Sequence, residues 1–359
     1  MKKILHLYTE LNIACGISKT IFLLLKNLDN VFEQEVICLG GDGLSRFYSI
    51  DKIPLVLNYN RYTIRGTLSI IFFLIKYCKK NKIEIIHSHH RYFDLITSLI
   101  KYFTKTKTIM SVHSKVYGKK IISYKSDILI ACSNSIKTHL INYFKVDSNR
   151  IRFISNFFDP TDIILDGDLE KMKLQLNLPS RAFLIGFFGR IDYQEKGLDI
   201  LLKAFRDLSK ANNNLHLIIV GNGPEKDSAL NFITLHNLNA HVIEAQTRIF
   251  KYYAISNLVV LPSRVEPFGL VILECGAMRK PFIGSNVDGI PEIIKDGING
   301  LLFKKNDIDE LKNCLMRLVD DKKLTNKLAN NLHYDVVDNY STRNIIPKYI
   351  SLYDALDAK

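Results

Sequence analysis

Leu258-Val259-Val260-Leu261-Pro262-Ser263-Arg264-Val265-Glu266-Pro267-Phe268-Gly269-Leu270-Val271-Ile272-Leu273-Glu274 is the stretch that decides the fold. Leu258–Leu261 is an apolar run of strand length, and Pro262 closes it. Gly269-Leu270 then opens a second apolar run that reads as a helix. Strand, loop and helix in this order make half of a βαβ unit, whose ligands bind beyond the carboxyl end of the strand. The first N–H groups of such a helix have no partner within it, which makes a ready site for a diphosphate. Glu266 precedes the helix and Glu274 falls near its second turn. Two carboxylates beside an anion site are costly unless they accept hydrogen bonds, and sugar or ribose hydroxyls are suitable donors. The plainer alternative is one Glu favoured by the helix dipole and an unrelated surface Glu.

The same alternation runs outward in both directions. Strands are expected at Lys3–Tyr8, Glu35–Leu39, Ile83–Ser88, Thr106–Val112, Ile128–Cys132 and Ile151–Ser155. A second series is expected at Phe183–Phe188, Leu215–Val220, Val242–Glu244, Leu258–Leu261 and Pro281–Gly284. Amphipathic segments such as Ile17–Leu28, Ile64–Lys79, Leu198–Leu208 and Asp307–Leu318 lie between them. Strands separated by helices of this length imply parallel α/β sheets. The chain of 359 residues is long enough for two such domains. The polar stretch Thr161–Arg181 is the best boundary, giving domains 1–160 and 161–340, with a C-terminal helix at about 341–359 packing back on the first.

Other candidate residues also follow strands. Gly189-Arg190 ends one strand and Lys196-Gly197 opens the next helix; a guanidinium fork and an ammonium at one turn suit a leaving diphosphate, or are merely solvated cations. Val220-Gly221-Asn222-Gly223-Pro224-Glu225 is a glycine turn that lacks the third glycine of a dinucleotide fingerprint, with Lys226 in its place. Gly221 is therefore either a donor contact or a structural turn. Gly16 opens the first helix, where a phosphate could approach the backbone. His87-Ser88-His89-His90 ends a strand, but neighbours on a strand point different ways, which argues against zinc. His113 ends another strand. The triplets Asp166-Gly167-Asp168 and Asp307-Ile308-Asp309 fall in the linker and at a helix start, so neither reads as a divalent-metal site.

Composition sets the remaining bounds. The greasiest uncharged stretch is the ten residues Gly66–Ile75, half of what a membrane-spanning helix needs. The six cysteines are scattered without a Cys-x-x-Cys pair, which suits a reducing, cytoplasmic setting. Residues 1–160 hold 24 Lys and Arg against 11 Asp and Glu, while the rest balance at 25 against 25. The basic half looks for an anionic partner, or is a solvated surface. Tyr62-Thr63-Ile64-Arg65 and Ile70–Ile75, closed by Lys76, Lys79, Lys80 and Lys82, suit a helix lying in an anionic membrane interface; the alternative is an ordinary helix–sheet core. No nucleic-acid module is present.

Taken in order, these segments resemble the retaining glycosyltransferases of family 4, which have the GT-B fold: two facing Rossmann-like domains with an interdomain cleft. The motifs carrying the resemblance are Gly189-Arg190 with Lys196-Gly197, Val220-Gly221-x-Gly-Pro, Ser263-x-x-Glu266-Pro-Phe-Gly, the pair Glu266 and Glu274, Asp288-Gly289-Ile290-Pro291-Glu292, and Asn299-Gly300-Leu301. Looser matches are Gly16, His87-Ser88-His89, Val112-His113, Ser133 and Asn156-Phe157-Phe158-Asp159. The resemblance implies an enzyme moving a hexose or N-acetylhexosamine from a nucleotide-sugar, UDP favoured over GDP, to a glycan or lipid-linked acceptor in bacterial cell-surface polysaccharide or lipopolysaccharide synthesis. It implies Arg190 and Lys196 on the donor diphosphate, Glu266 on sugar hydroxyls with Phe268, Gly269 and Leu270 helping, Glu274 on the ribose, Gly16 on the phosphates and His113 on the reacting sugar. It implies no cofactor and no metal. Departures are Cys15 before Gly16, Arg279 where glycine is usual, and Ala245-Gln246 where the base is normally cradled. A GT-B-shaped sugar-nucleotide epimerase, or a non-catalytic sugar-nucleotide-binding subunit, would carry many of the same motifs.

Overall fold

A computed structural model describes residues 1–165 and 167–356. The chain divides into two compact units, Met1–Asn156 with Thr342–Lys359, and Phe157–Ser341.

The first unit is built on seven parallel strands: β1 (Lys3–Leu7), β2 (Glu33–Cys38), β3 (Leu55–Val56), β4 (Ile85–Ser88), β5 (Lys107–Val112), β6 (Ile128–Ala131) and β7 (Ile151–Phe153). Their order across the sheet is β3-β2-β1-β4-β5-β6-β7, reversing between β1 and β4. The second unit has six parallel strands: β8 (Phe183–Phe188), β9 (Leu215–Val220), β10 (Ala240–Ile243), β11 (Leu258–Leu261), β12 (Phe282–Ser285) and β13 (Leu301–Phe303). They run β10-β9-β8-β11-β12-β13, reversing between β8 and β11. Both sheets thus have the Rossmann order, and in each the reversal point leaves a crevice at the strands' carboxyl ends.

The central strands are apolar at nearly every position because helices cover both faces; all six residues of β9 are buried. The second core joins Phe187, Leu201, Phe205, Leu217, Val260 and Leu315. The first joins Leu5, Leu7, Ile70, Leu74, Ile86 and Phe93. The last helix, Thr342–Asp354, belongs to the first unit. There the Tyr353 ring meets Phe32 edge-on at 5.3 Å, and Lys2 Nζ donates to the Tyr353 carbonyl at 3.1 Å.

Several expectations need correcting. Strands β3 and β13 were not anticipated, having only two and three residues. The helix Ile64–Asn81 does not offer Ile70–Ile75 outward as a block: Ile70, Leu74 and Cys78, spaced by four, are buried. Its outward apolar row is instead Ile64, Leu68 and Phe72, exposed at 83%, 47% and 69%. The adjoining helix Arg91–Thr104 exposes Leu99, Tyr102 and Phe103 in the same way. Asp168 caps the helix Leu169–Gln175 and Asp307 caps Ile308–Asp320, each accepting backbone N–H bonds; Asp166 lies outside the described residues. All six cysteines are free thiols. Among the described residues, no helix is long and apolar enough to cross a membrane.

Candidate functional site

In the second unit, the loops after β8 and β11 supply the charged residues. After β8, Asp192 organises the turn: its carboxylate accepts from Glu195 N at 2.8 Å, and its carbonyl accepts from Lys196 N and Gly197 N at 3.0 and 3.1 Å. The helix Leu198–Ser209 starts against the chain after β11, because a Cβ on Gly197 would sit 2.1 Å from the Pro262 carbonyl oxygen. That close approach brings Lys196 Nζ to 2.6 Å from Glu266 Oε2. Ser263 Oγ, fully buried, donates to the same oxygen at 3.1 Å. The two loops are bolted together behind this pair: Arg264 grips Asp199 with two N–H bonds of 2.6 and 2.9 Å, and its backbone N donates to the Glu195 carbonyl at 2.7 Å.

Glu266 is held from a third direction. Asp288 Oδ2 accepts from Glu266 N at 3.1 Å, and Gly289 N donates to the Glu266 carbonyl at 3.0 Å. The Asp-Gly-Ile-Pro-Glu segment thereby fixes the backbone on both sides of the carboxylate. Gly269, having no side chain, caps the helix Leu270–Ala277 and cannot itself satisfy its first N–H groups. Phe268 is buried with its ring edge-on to Tyr340 at 5.9 Å, while Leu270 is half-buried. Glu274 is buried, and the Tyr253 hydroxyl donates to its Oε2 at 2.7 Å. Burial, and then the nearby Glu274 charge, push the Tyr253 phenol up, so it stays a donor. Arg190 is half-exposed, 3.5 Å from Asp192. Gly221 has a packing role: a Cβ there would sit 1.8 Å from the Gly189 carbonyl oxygen.

In the first unit, Gly16 is exposed at the start of the helix Gly16–Leu28, whose cap residue Cys15 makes no side-chain capping bond. His113 follows β5 and stacks on His89, ring centroids 5.6 Å apart. The histidines do not point apart as expected. His87 and His89 are two residues apart, hence on one face, and the β1–β4 register sets His6 opposite His87. The rings of His6, His87 and His89 therefore converge, with ligand nitrogens within 4.8 Å of one another. Three imidazoles suit zinc or a similar ion, but both His6 and both His87 nitrogens are already engaged: His6 with His89 and Gln34, His87 with Tyr353 and Ser111. Burial holds His6 and His113 at about 4 and His87 and His89 well below the usual value, so all four are neutral near pH 7.

No motif in the sequence singled out His6, Gln34, Asp192, Tyr253 or the Arg264–Asp199 bolt, and Ser263 stood in a motif without its bond to Glu266. A histidine amid the apolar run Ile4-Leu5-His6-Leu7 was the available signal, since a buried polar group must find a partner.

Two parallel sheets of Rossmann order, one with an ordered Lys–Glu pair beside a helix start at its reversal point, define an α/β protein of the GT-B fold. Residues 14–162 match the family model "Glycosyltransferase Family 4" and residues 168–333 match "Glycosyl transferases group 1". The chain belongs to the family 4 glycosyltransferases. It is 25% identical over 297 residues to an uncharacterized glycosyltransferase, MJ1607, of Methanocaldococcus jannaschii, covering 76% of this chain and 75% of that protein. It is 26% identical over 245 residues to the capsular polysaccharide biosynthesis glycosyltransferase CapM of Staphylococcus aureus, covering 66% of this chain and 63% of CapM. In fold it is similar to Anabaena Alr3699/HepE, solved in complex with UDP and glucose: TM-score 0.88, 19% identity, 99% of this chain and 100% of that one.

Proposed function

We propose that the chain is a retaining, metal-independent glycosyltransferase that moves a hexose or N-acetylhexosamine from a UDP-sugar to a glycan or lipid-linked acceptor of a bacterial cell-surface polysaccharide or lipopolysaccharide. The observation that carries the reading is Glu266, clamped by Lys196 and Ser263 beside the helix start at Gly269. In this reading Lys196 and Arg190 bear the charge of the leaving diphosphate, with the helix N–H groups of Gly269 and Leu270. Glu266 accepts from the sugar hydroxyls and Glu274 from the ribose. Phe268 shapes the loop, and Gly221 acts by packing beneath Arg190. In the first unit, Gly16 is assigned to phosphate and His113 to a sugar hydroxyl. The cations supply the counter-charge a metal would otherwise give, so catalysis is positioning and charge stabilisation. The CapM likeness favours an envelope glycan, and the UDP in HepE favours a UDP-sugar.

The first unit is assigned to the acceptor and, in a cytoplasmic protein, to the inner membrane surface. Ile64, Leu68 and Phe72 make an apolar row where a solvated helix would be polar, amid Arg65, Lys76, Lys79 and Lys80.

The test is incubation with UDP-glucose, UDP-N-acetylglucosamine or GDP-mannose plus extracted envelope glycolipid, in excess chelator, reading the anomeric configuration of the product. An α-linked product from a UDP-sugar is expected. A β-linked product overturns retention, and activity restored only by magnesium or manganese overturns metal independence. Epimer interconversion without transfer identifies an epimerase; donor binding without turnover identifies a non-catalytic subunit.

A further inference from the structure

A chain of four side chains in the first unit has a direction that chemistry alone dictates. Gln34, buried on β2, places its Nε2 3.2 Å from the Leu25 carbonyl and 3.5 Å from the Leu24 carbonyl. Carbonyls only accept, so the amide NH2 faces them and Oε1 faces His6. Oε1 lies 3.1 Å from His6 Nε2. An amide oxygen also only accepts, so His6 carries its proton on Nε2. A neutral imidazole has one N–H, which leaves His6 Nδ1 as an acceptor. His89 Nε2, 3.1 Å away, must then donate to it. That leaves His89 Nδ1 to accept from His113 Nε2, at 3.3 Å.

We propose that Gln34 is a positioning residue for His113: acting through His6 and His89, it holds the His113 proton on Nε2 and leaves Nδ1 as a hydrogen-bond acceptor. His87 stands outside the relay. Its ring lies 4.2 Å from that of His89, but it bonds Tyr353 Oη at 2.7 Å and Ser111 Oγ at 2.8 Å. Burial keeps each relay histidine neutral near pH 7, which the one-proton count requires. Resting on the proposed function, the consequence is chemical selectivity. His113 accepts from a donor-sugar hydroxyl and cannot act there as an N–H donor or a cation.

Removing the acceptor at the far end should reverse the relay. In Gln34→Leu the His6 N–H loses its partner. Each imidazole relaxes by moving its single proton to its other nitrogen, and His113 then carries it on Nδ1. Gln34→Glu, as a buried protonated carboxyl, offers the same acceptor and donor as the amide and restores the original direction.

The experiment is nitrogen-15 labelling of the histidines in the full chain, with long-range proton–nitrogen spectra at neutral pH, beside steady-state kinetics. The wild-type chain and Gln34→Glu should show His6, His89 and His113 protonated on Nε2, and Gln34→Leu should show His113 protonated on Nδ1. kcat should fall roughly tenfold or more in Gln34→Leu and return in Gln34→Glu, with the donor KM little changed, the scale of a lost orienting partner. The wild-type spectrum alone overturns the relay if His113 is protonated on Nδ1 or on both nitrogens, whether or not the Leu variant folds. An unchanged His113 tautomer in folded Gln34→Leu also overturns it. A switched tautomer with unchanged kcat supports the relay and instead refutes the contact of His113 with the sugar.

Discussion

Replacing Glu266 by alanine removes one carboxylate oxygen that two donors share, Lys196 Nζ at 2.6 Å and Ser263 Oγ at 3.1 Å. Two costs follow, and they can be separated. Breaking a fully buried ion pair costs about 3–5 kcal/mol. Here the Lys196 side chain keeps 22% of its exposure, so its ammonium can take up water and the stability loss should be nearer about 1–2 kcal/mol. That is a minor part of the roughly 5–15 kcal/mol of an ordinary folded domain, so the second unit should remain folded at 25 °C. The catalytic cost is a contact to the reacting sugar, worth about 2.7–4 kcal/mol when made chiefly in the transition state, or roughly 10²–10³ in kcat. Lys196→Ala should fall by a similar factor through loss of the diphosphate counter-charge. The assay is kcat at saturating donor, with urea unfolding run in parallel; Glu266→Gln, which keeps the shape and both bonds to the side-chain oxygen, controls for packing. Near-wild-type turnover in folded Glu266→Ala would refute the assignment.

Three further outcomes are expected. Glu274→Ala should raise the donor dissociation constant while leaving kcat within a few-fold, because ribose contacts change little in the transition state; a large fall in kcat at saturating donor would contradict this, read by calorimetry beside kinetics. Because burial lowers the pKa of His6 and His113 to about 4, the unfolded chain binds protons from about pH 6.5 downward while the folded one does not until about 4. The stability they contribute is thus whole above 6.5 and is lost on acidification toward 4, at about 1.4 kcal/mol per pH unit for each. Hydrogen exchange at the β1 and β4 amides should quicken accordingly, and protection unchanged from pH 7 to 5 would contradict it. The chain should co-sediment with anionic but not neutral vesicles at low salt and be released at high salt, with Phe72→Ser weakening retention; equal, negligible binding to both vesicle types would exclude the membrane role.

How much of this was legible beforehand follows from how far apart the cooperating residues lie. Strands β1, β8, β9 and β11 could be read because each is a dense apolar run followed by a turn and an amphipathic helix, which is local information. Glu266, Glu274, Lys196 and Gly269 could be read for the same reason, since each lies on the loop or helix that directly follows a strand. The residues that order them could not. Asp288 stands in a motif, but its bond to Glu266 spans 22 positions, and Asp199 acts on Arg264 from 65 away; nothing local tells of either contact. The histidine relay was misread by treating His87-Ser88-His89 as a cluster along the chain. Its partners are cross-strand, His6 on β1 and Gln34 on β2, and only the register of β1 with both neighbours brings them together.

The two buried carboxylates also differ in a way that bears on their proposed roles. Glu266 is held by a cation, Glu274 by the hydroxyl of Tyr253, a phenol whose proton burial retains. In the proposed role, a carboxylate paired with a lysine can transfer an accepted hydrogen bond from the ammonium to an arriving hydroxyl, while the freed ammonium turns to phosphate. In that role, ligand arrival at Glu266 would be an exchange of partners within one charged cluster, and the interaction would strengthen as charge grows on the leaving phosphate. The Tyr253 phenol that donates to Glu274 stays neutral throughout. In the proposed role, ribose hydroxyls bound there would be recognised equally before and during the reaction, which is uniform binding. The same asymmetry explains why Gly197 matters: its close approach to Pro262 is what brings Lys196 to Glu266 rather than to solvent. A side chain at position 197 would separate cation from carboxylate and turn the first kind of site into the second.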